Sequence, residues 1–241
     1  MPYILSGVFT SVRKERTGTG ATKRDTIQCI NWLGVLRPDG MALVQPLSER
    51  ILPTGIIHQV AEEQFLEEFM PERSLYETHI KPHVMTLKKH FAESDELPGT
   101  LYPEEKLVLD GMLALVHGRG GKKVREGDIT LLRELLIHFG EGQPASAFQA
   151  RVTCVAVDYR RKKDYPRALS FYDRALAVGG QEDRILFNLA RVRYDMGDIE
   201  ETLSCLRKSL EQNPELREAQ QFIDFLMEKG GNDAGSRESQ A

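Results

Sequence analysis

Two stretches of this chain repeat one another at a separation of 34 residues, and that period constrains the fold more than any other feature. In the stretch 183–216, Leu189, Ala190 and Tyr194 precede a Gly197-Asp198 turn, Leu203, Leu206, Ser209 and Leu210 follow it, and Asn213-Pro214 closes the unit. Subtracting the period lands on Val155, Ala156 and Arg160, an equivalent Lys163-Asp164 turn, then Leu169, Tyr172, Ala175 and Leu176. The apolar positions on each side of the turn recur near the 3.6-residue period of a helix. Gly197 can end a first helix at positive φ and Asp198 can cap a second, while Pro214 opens the next helix, where its missing N–H costs nothing. Units of this length bury an apolar face only against a neighbouring unit, so they stack.

These residues resemble the tetratricopeptide repeat, over 149–182 and 183–216, with a capping helix at 215–229 that presents Leu216, Ala219, Ile223 and Leu226. Thr202 stands where that family has Ala and Gly180 where it has Pro. Two repeats fall short of the three or so that such arrays need. The missing one is expected at 103–146, where Gly127-Asp128, Leu132, Leu136, Phe139 and Pro144 match a turn, a second helix and a terminal proline. Its first helix, with Leu107, Met112, Leu113 and Val116, is followed by an insertion rich in Gly and Lys, so this repeat is degenerate. The repeats are thus expected to fill 103–229, with a disordered tail at 230–241.

The first 95 residues read differently. Strands are expected at 4–12, 26–36 and 41–46, with a Pro38-Asp39-Gly40 turn between the last two. Helices are expected at 61–69 and 74–92, the second kinked at Pro82, and the stretch 92–102 serves as a linker. The expected fold class is therefore α+β: a small antiparallel β-sheet module with helices at the amino terminus, then an all-α tetratricopeptide-type superhelix.

Composition narrows the function. A formal charge of −4 over 241 residues is close to neutral and speaks against nucleic acid as the partner. No 18-residue apolar run exists and the start lacks a signal-peptide layout, so no membrane is expected. Cys29, Cys154 and Cys205 are widely spaced, which fits a reducing cytoplasm and gives no cysteine-based zinc module. His79, His83 and His90 share one face of the expected helix 74–92 without further ligands nearby, so no metal is expected. The loop Thr17–Lys23 has glycines but lacks the Gly before Lys, and the following helix, of a phosphate loop. It belongs to a hairpin carrying Arg13, Lys14, Arg16, Lys23 and Arg24. Serine, cysteine and histidine are too scattered for a catalytic triad, so neither a catalytic residue nor a cofactor is expected.

The resemblance implies a concave surface lined by the first helix of each repeat. Its positions here are Ala150, Thr153, Val157, Arg160 and Arg161, then Arg184, Phe187, Arg191, Tyr194 and Asp195. Asn188 matches one position of a carboxylate clamp found in the chaperone-binding members, but Thr153 and Val157 occupy two others, so that clamp is not expected. Arginines beside aromatic rings suit an acidic or aromatic-containing peptide, because a guanidinium both pairs with carboxylates and stacks. The expected function is a non-enzymatic, cytoplasmic scaffold holding a partner protein or peptide through Arg160, Arg161, Arg184, Phe187, Asn188, Arg191 and Tyr194. The alternatives are a nucleic-acid-associated regulator touching phosphate through the basic hairpin, and an accessory subunit of an enzyme complex.

Overall fold

The computed structural model describes residues 3–17, 24–94, 96–120, 126–142, 145–179 and 182–238, without the side chains of 14–17, 24–26, 126 and 230–238. The hairpin loop that lacks the features of a phosphate loop lies outside the described residues from Gly18 to Lys23. The chain divides into two compact units, Met1–Ala147 and Phe148–Ala241.

The first unit is built on an antiparallel sheet in the order β4-β3-β2-β1-β5. Its strands are β1 (Leu5–Thr17), β2 (Arg24–Leu36), β3 (Met41–Pro46), β4 (His58–Ala61) and β5 (Phe69–Pro71). The three expected strands are present, and the two short edge strands are additional. β1 and β2 pair along their whole length, from Leu5 opposite Leu36 to Thr17 opposite Arg24. Along this hairpin β3 reaches only Trp32–Leu36 of β2 and β5 only Phe9–Ser11 of β1, so the far half of the hairpin extends past the sheet as a two-stranded ribbon.

Alternation along the strands sends side chains to opposite faces. Val8, Leu33, Val35 and Leu43 face a layer of helices, while Phe9 packs edge-on against Phe65 of α1 (Glu62–Glu68) on the other side. The expected helix 74–92 is split: α2 (Arg73–Leu75), a π-helical turn (Tyr76–Ile80) and α3 (Lys81–Glu93). Pro82 supplies no N–H to the carbonyl one turn back, and the wider turn takes up the mismatch.

Helices α4 (Pro103–His117) and α5 (Glu126–Gly140) correct the expected domain organisation. They belong to the first unit: Val108, Met112, Leu132, Leu136 and Phe139 share one core with Val8, Val35, Ile80 and Leu87. The boundary therefore falls at Ala147–Phe148, downstream of the linker expected at 92–102. The cause is the all-round apolarity of α4, where Val108, Leu109, Met112, Leu113 and Leu115 are all buried. A helix buried on several sides needs a sheet as well as a neighbouring helix. Gly111 permits that approach, since a Cβ there would stand 2.4 Å from Cβ of Pro53. Gln45 then donates to the Gly111 carbonyl at 2.8 Å.

The elements described in the second unit are all helices: α6 (Ala145–Arg161), whose first turn precedes the boundary, α7 (Tyr165–Ala177), α8 (Asp183–Asp195), α9 (Ile199–Gln212) and α10 (Arg217–Glu238). Its backbone repeats at 34 residues. Lys163 (φ 62°) and Gly197 (φ 84°) both turn left-handed. Asp164 N–H bonds to Tyr159 O at 3.0 Å, as Asp198 N–H does to Arg193 O at 2.9 Å. Asp164 and Asp198 each cap the following helix, accepting from Arg167 N–H and Glu201 N–H. Ala156 and Ala190 are fully buried, as are Ala168 and Thr202, and the Thr202 hydroxyl is satisfied by the Asp198 carbonyl at 2.6 Å. Ala219, Ile223 and Leu226 of α10 are buried. α10 continues to Glu238, into the stretch 230–241 expected to be disordered.

Candidate functional site

The charged and aromatic residues of the second unit meet in one place. Arg160 at the end of α6, Phe187, Arg191, Tyr194 and Asp195 along α8, and Phe222 of α10 line a concavity of about 390 Å³. Phe187, Arg191 and Tyr194 share a face because they stand four and then three residues apart on a helix. α10 supplies the other wall. Phe222 meets Tyr194 edge-to-face at 5.3 Å and Phe187 at 6.4 Å between ring centroids. Phe225 lies 6.2 Å from Tyr194, and the Lys229 ammonium sits over both rings while Nζ donates to the Tyr194 hydroxyl at 3.3 Å.

The arginines are not equivalent. Arg160 Nη1 donates to Asp195 Oδ2 at 2.8 Å, joining α6 to α8. Its Nε–H is buried with no hydrogen-bond partner. Arg191 is exposed, holds its guanidinium 6.0 Å from the Phe187 centroid, and forms no ion pair among the described residues. Arg161 is exposed, faces Asp158 on its own helix at 3.6 Å, and does not line the concavity. Arg184 is exposed and Asn188 half-buried, and neither lines it. The structure thus brings Arg160, Phe187, Arg191 and Tyr194 together and leaves Arg161, Arg184 and Asn188 outside. Phe222, Phe225 and Lys229 were missed in sequence. Their signal was present: two phenylalanines on a capping helix outside its buried Ala219, Ile223 and Leu226 stripe.

The packing around this groove carries a further unmet polar group besides the Arg160 Nε–H. Tyr172 of α7 is fully buried and its hydroxyl has no hydrogen-bond partner. Burial pushes its pKa up to about 12, with the positive charges of Arg160 and Arg191 pulling the other way.

A second concavity of about 550 Å³ lies on the sheet of the first unit. Ser11, Arg13, Trp32, His58, Gln64 and Phe69 are among its lining residues. Trp32 donates from Nε1 to Ser11 Oγ at 2.9 Å and meets His58 and Phe69 edge-to-face at 5.5 and 5.6 Å. His79, His83 and His90 do not converge, and among the described residues no group of three His, Cys, Asp or Glu side chains gathers to hold a metal ion. No helix among the described residues is long and apolar enough to cross a membrane. Compared with known proteins, the chain matches no protein-family model and no curated protein.

Proposed function

We propose that this chain is a non-catalytic adaptor whose residues 148–238 form a tetratricopeptide-type helical array and hold a partner peptide between α6, α8 and α10. The observation that carries the reading is Arg191, a guanidinium over the Phe187 ring with no carboxylate partner among the described residues, beside a space walled by Tyr194 and Phe222. The peptide is acidic and brings an aromatic or aliphatic side chain: the carboxylate pairs with Arg191, and the side chain enters the concavity. Charge-assisted hydrogen bonds contribute about 1.5–3 kcal/mol when desolvated, and less at a rim as open as this. The recurring 34-residue backbone pattern and the buried Ala156 and Ala190 support the repeat assignment. The adaptor is placed in the cytoplasm, in keeping with three unpaired cysteines.

Affinity purification from the native cell tests this when done in parallel with three baits: the natural chain, Arg191→Glu, and a variant with Arg13, Lys14 and Arg16 reversed to Glu. A partner lost with Arg191→Glu and kept by the hairpin variant supports the groove. The opposite pattern overturns it. It would move the binding surface to the first unit, where the Trp32 concavity supports the second reading, a contact with nucleic acid or a small ligand.

A further inference from the structure

We infer that Asp195 is a built-in competitor in the groove: it holds Arg160 while the groove is empty, and an acidic side chain of the ligand takes Arg160 over from it. The inference rests on the peptide-binding reading above and adds what sets its affinity.

Arg160 and Asp195 both line the concavity, so their ion pair stands in the space a ligand must enter. Asp195 satisfies the guanidinium poorly. It accepts from Nη1 alone, whereas a guanidinium offers paired donors that match both oxygens of one carboxylate. The Nε–H meanwhile is buried and unpaired, a donor left unmet inside the protein. The pair is also open to solvent on its acidic side, with side-chain exposures of 15% for Arg160 and 33% for Asp195. A partly exposed pair with one contact holds less firmly than a two-pronged one.

One period on, the equivalent positions are Tyr194 and Lys229, which meet through a hydrogen bond of 3.3 Å and not through an ion pair. Contact at these positions thus recurs between successive helix pairs, but it does not require the charge pair of Arg160 and Asp195. Exchange keeps the charge balance. The ligand carboxylate replaces that of Asp195 on Arg160, Asp195 turns to water, and Arg191 and Lys229 complete a cationic rim around the rings. A ligand without a carboxylate cannot make the exchange, so the latch also discriminates between ligands.

The test is fluorescence polarisation on the full chain with two labelled probes, the peptide Asp-Glu-Phe-Asp-Glu and its uncharged twin Asn-Gln-Phe-Asn-Gln. The natural chain should prefer the acidic probe. Asp195→Asn should tighten the acidic probe about three- to fivefold, the scale on which a partly exposed ion pair competes, and leave the twin unchanged. Adding Arg160→Ala to Asp195→Asn should abolish that gain, and Arg191→Ala should weaken the acidic probe in either background. If Asp195→Asn leaves the acidic probe unchanged or weakens it while Arg191→Ala still costs affinity, the competitor is overturned and the groove stands. If no protein distinguishes the probes, the groove reading falls and the competitor with it. Matching helical melts exclude unfolding as the cause, and the double variant with Arg160→Ala separates competition for Arg160 from the mere removal of a negative charge.

Discussion

The two units bury their side chains over very different distances along the chain. In the first, the ties run far: the Ser6 hydroxyl reaches His138 across 132 positions, Gln45 reaches Gly111 across 66, and Tyr76 donates to the Phe139 carbonyl across 63. In the second, the hydrogen bonds and ring contacts of the described residues run no further than the helix after next. Gln149 donates to the Ala175 carbonyl and Ser209 to the Asp183 carbonyl, each across 26 positions, and Arg160 meets Asp195 across 35. A sheet covered by distant helices forms all at once or not at all, whereas a stack of helix pairs is close to a sum of local terms. The lesson is that helices of similar length and apolarity have different dependences: α4 and α5 need the sheet, and α8 and α9 need only each other and the helices beside them.

The largest expected effect comes from cutting the chain. Residues 1–147 should melt cooperatively alone. Residues 103–241 should lose protection from hydrogen exchange throughout α4 and α5, whose partners Val8, Leu33, Val35 and Leu43 are gone. Protected α4 and α5 in the shorter chain would break the comparison and restore them to the repeats.

Packing changes within the second unit come next. Leu206→Ala should cost about 2–5 kcal/mol as a cavity, since Leu206 is fully buried. Ala190→Leu should cost about 1–3 kcal/mol by overpacking. Both losses should appear in denaturant unfolding followed by exchange at α8 and α9, with the first unit's transition unmoved. Leu203 has the repeat spacing but is only half-buried, so Leu203→Ala should cost less than Leu206→Ala.

Two fully buried tyrosines, one in each unit, sharpen the contrast. Tyr76→Phe removes a hydrogen bond and should cost about 1 kcal/mol. Tyr172→Phe removes a hydroxyl that has no partner and should stabilise by about 1 kcal/mol. Alkaline unfolding checks this from another side. Burial raises the folded-state pKa of Tyr172 from 10.0 to about 12, so the unfolded chain loses this proton first. Stability therefore falls as pH rises from about 10 to 12, and Tyr172→Phe should flatten that fall. Tyr76 is also pushed up by burial and adds a share of its own, which Tyr76→Phe should remove.

The smallest effect is at the two equivalent turns. Lys163 and Gly197 hold the same left-handed conformation, which strains a residue with a Cβ. Lys163→Gly should gain up to about 1 kcal/mol and Gly197→Ala should lose about as much, both by thermal melt. Equal and opposite shifts would show that the two turns are energetically the same element.

Much of this was legible in the chain. Gly197, Asp198, Ala190 and Leu206 announce their roles because a helix pair is specified by residues within one period of each other. Gly40 at positive φ after Pro38-Asp39 likewise marks the turn into β3. What was misread depended on partners far away. Phe139 and Leu136 have helical spacing that fits a repeat as well as a sheet-covering helix, and periodicity alone does not say which surface an apolar face meets. The groove divided in the same way. Arg191 and Phe187 follow from the helical face of α8, but whether Arg160 is held by Asp195, and that Phe222 supplies the opposite wall, depends on how three helices pack.

By itself, the sequence determined the three longer strands, the approximate place of most helices, and the period and phase of the second unit, because turns, caps and apolar spacing act within a few residues. Only the tertiary structure decided the domain boundary, the two covered faces of the sheet and the pairing of Arg160. Each is a choice among surfaces of similar apolarity or charge, settled by shape at close range, as where Gly111 lets α4 approach Pro53.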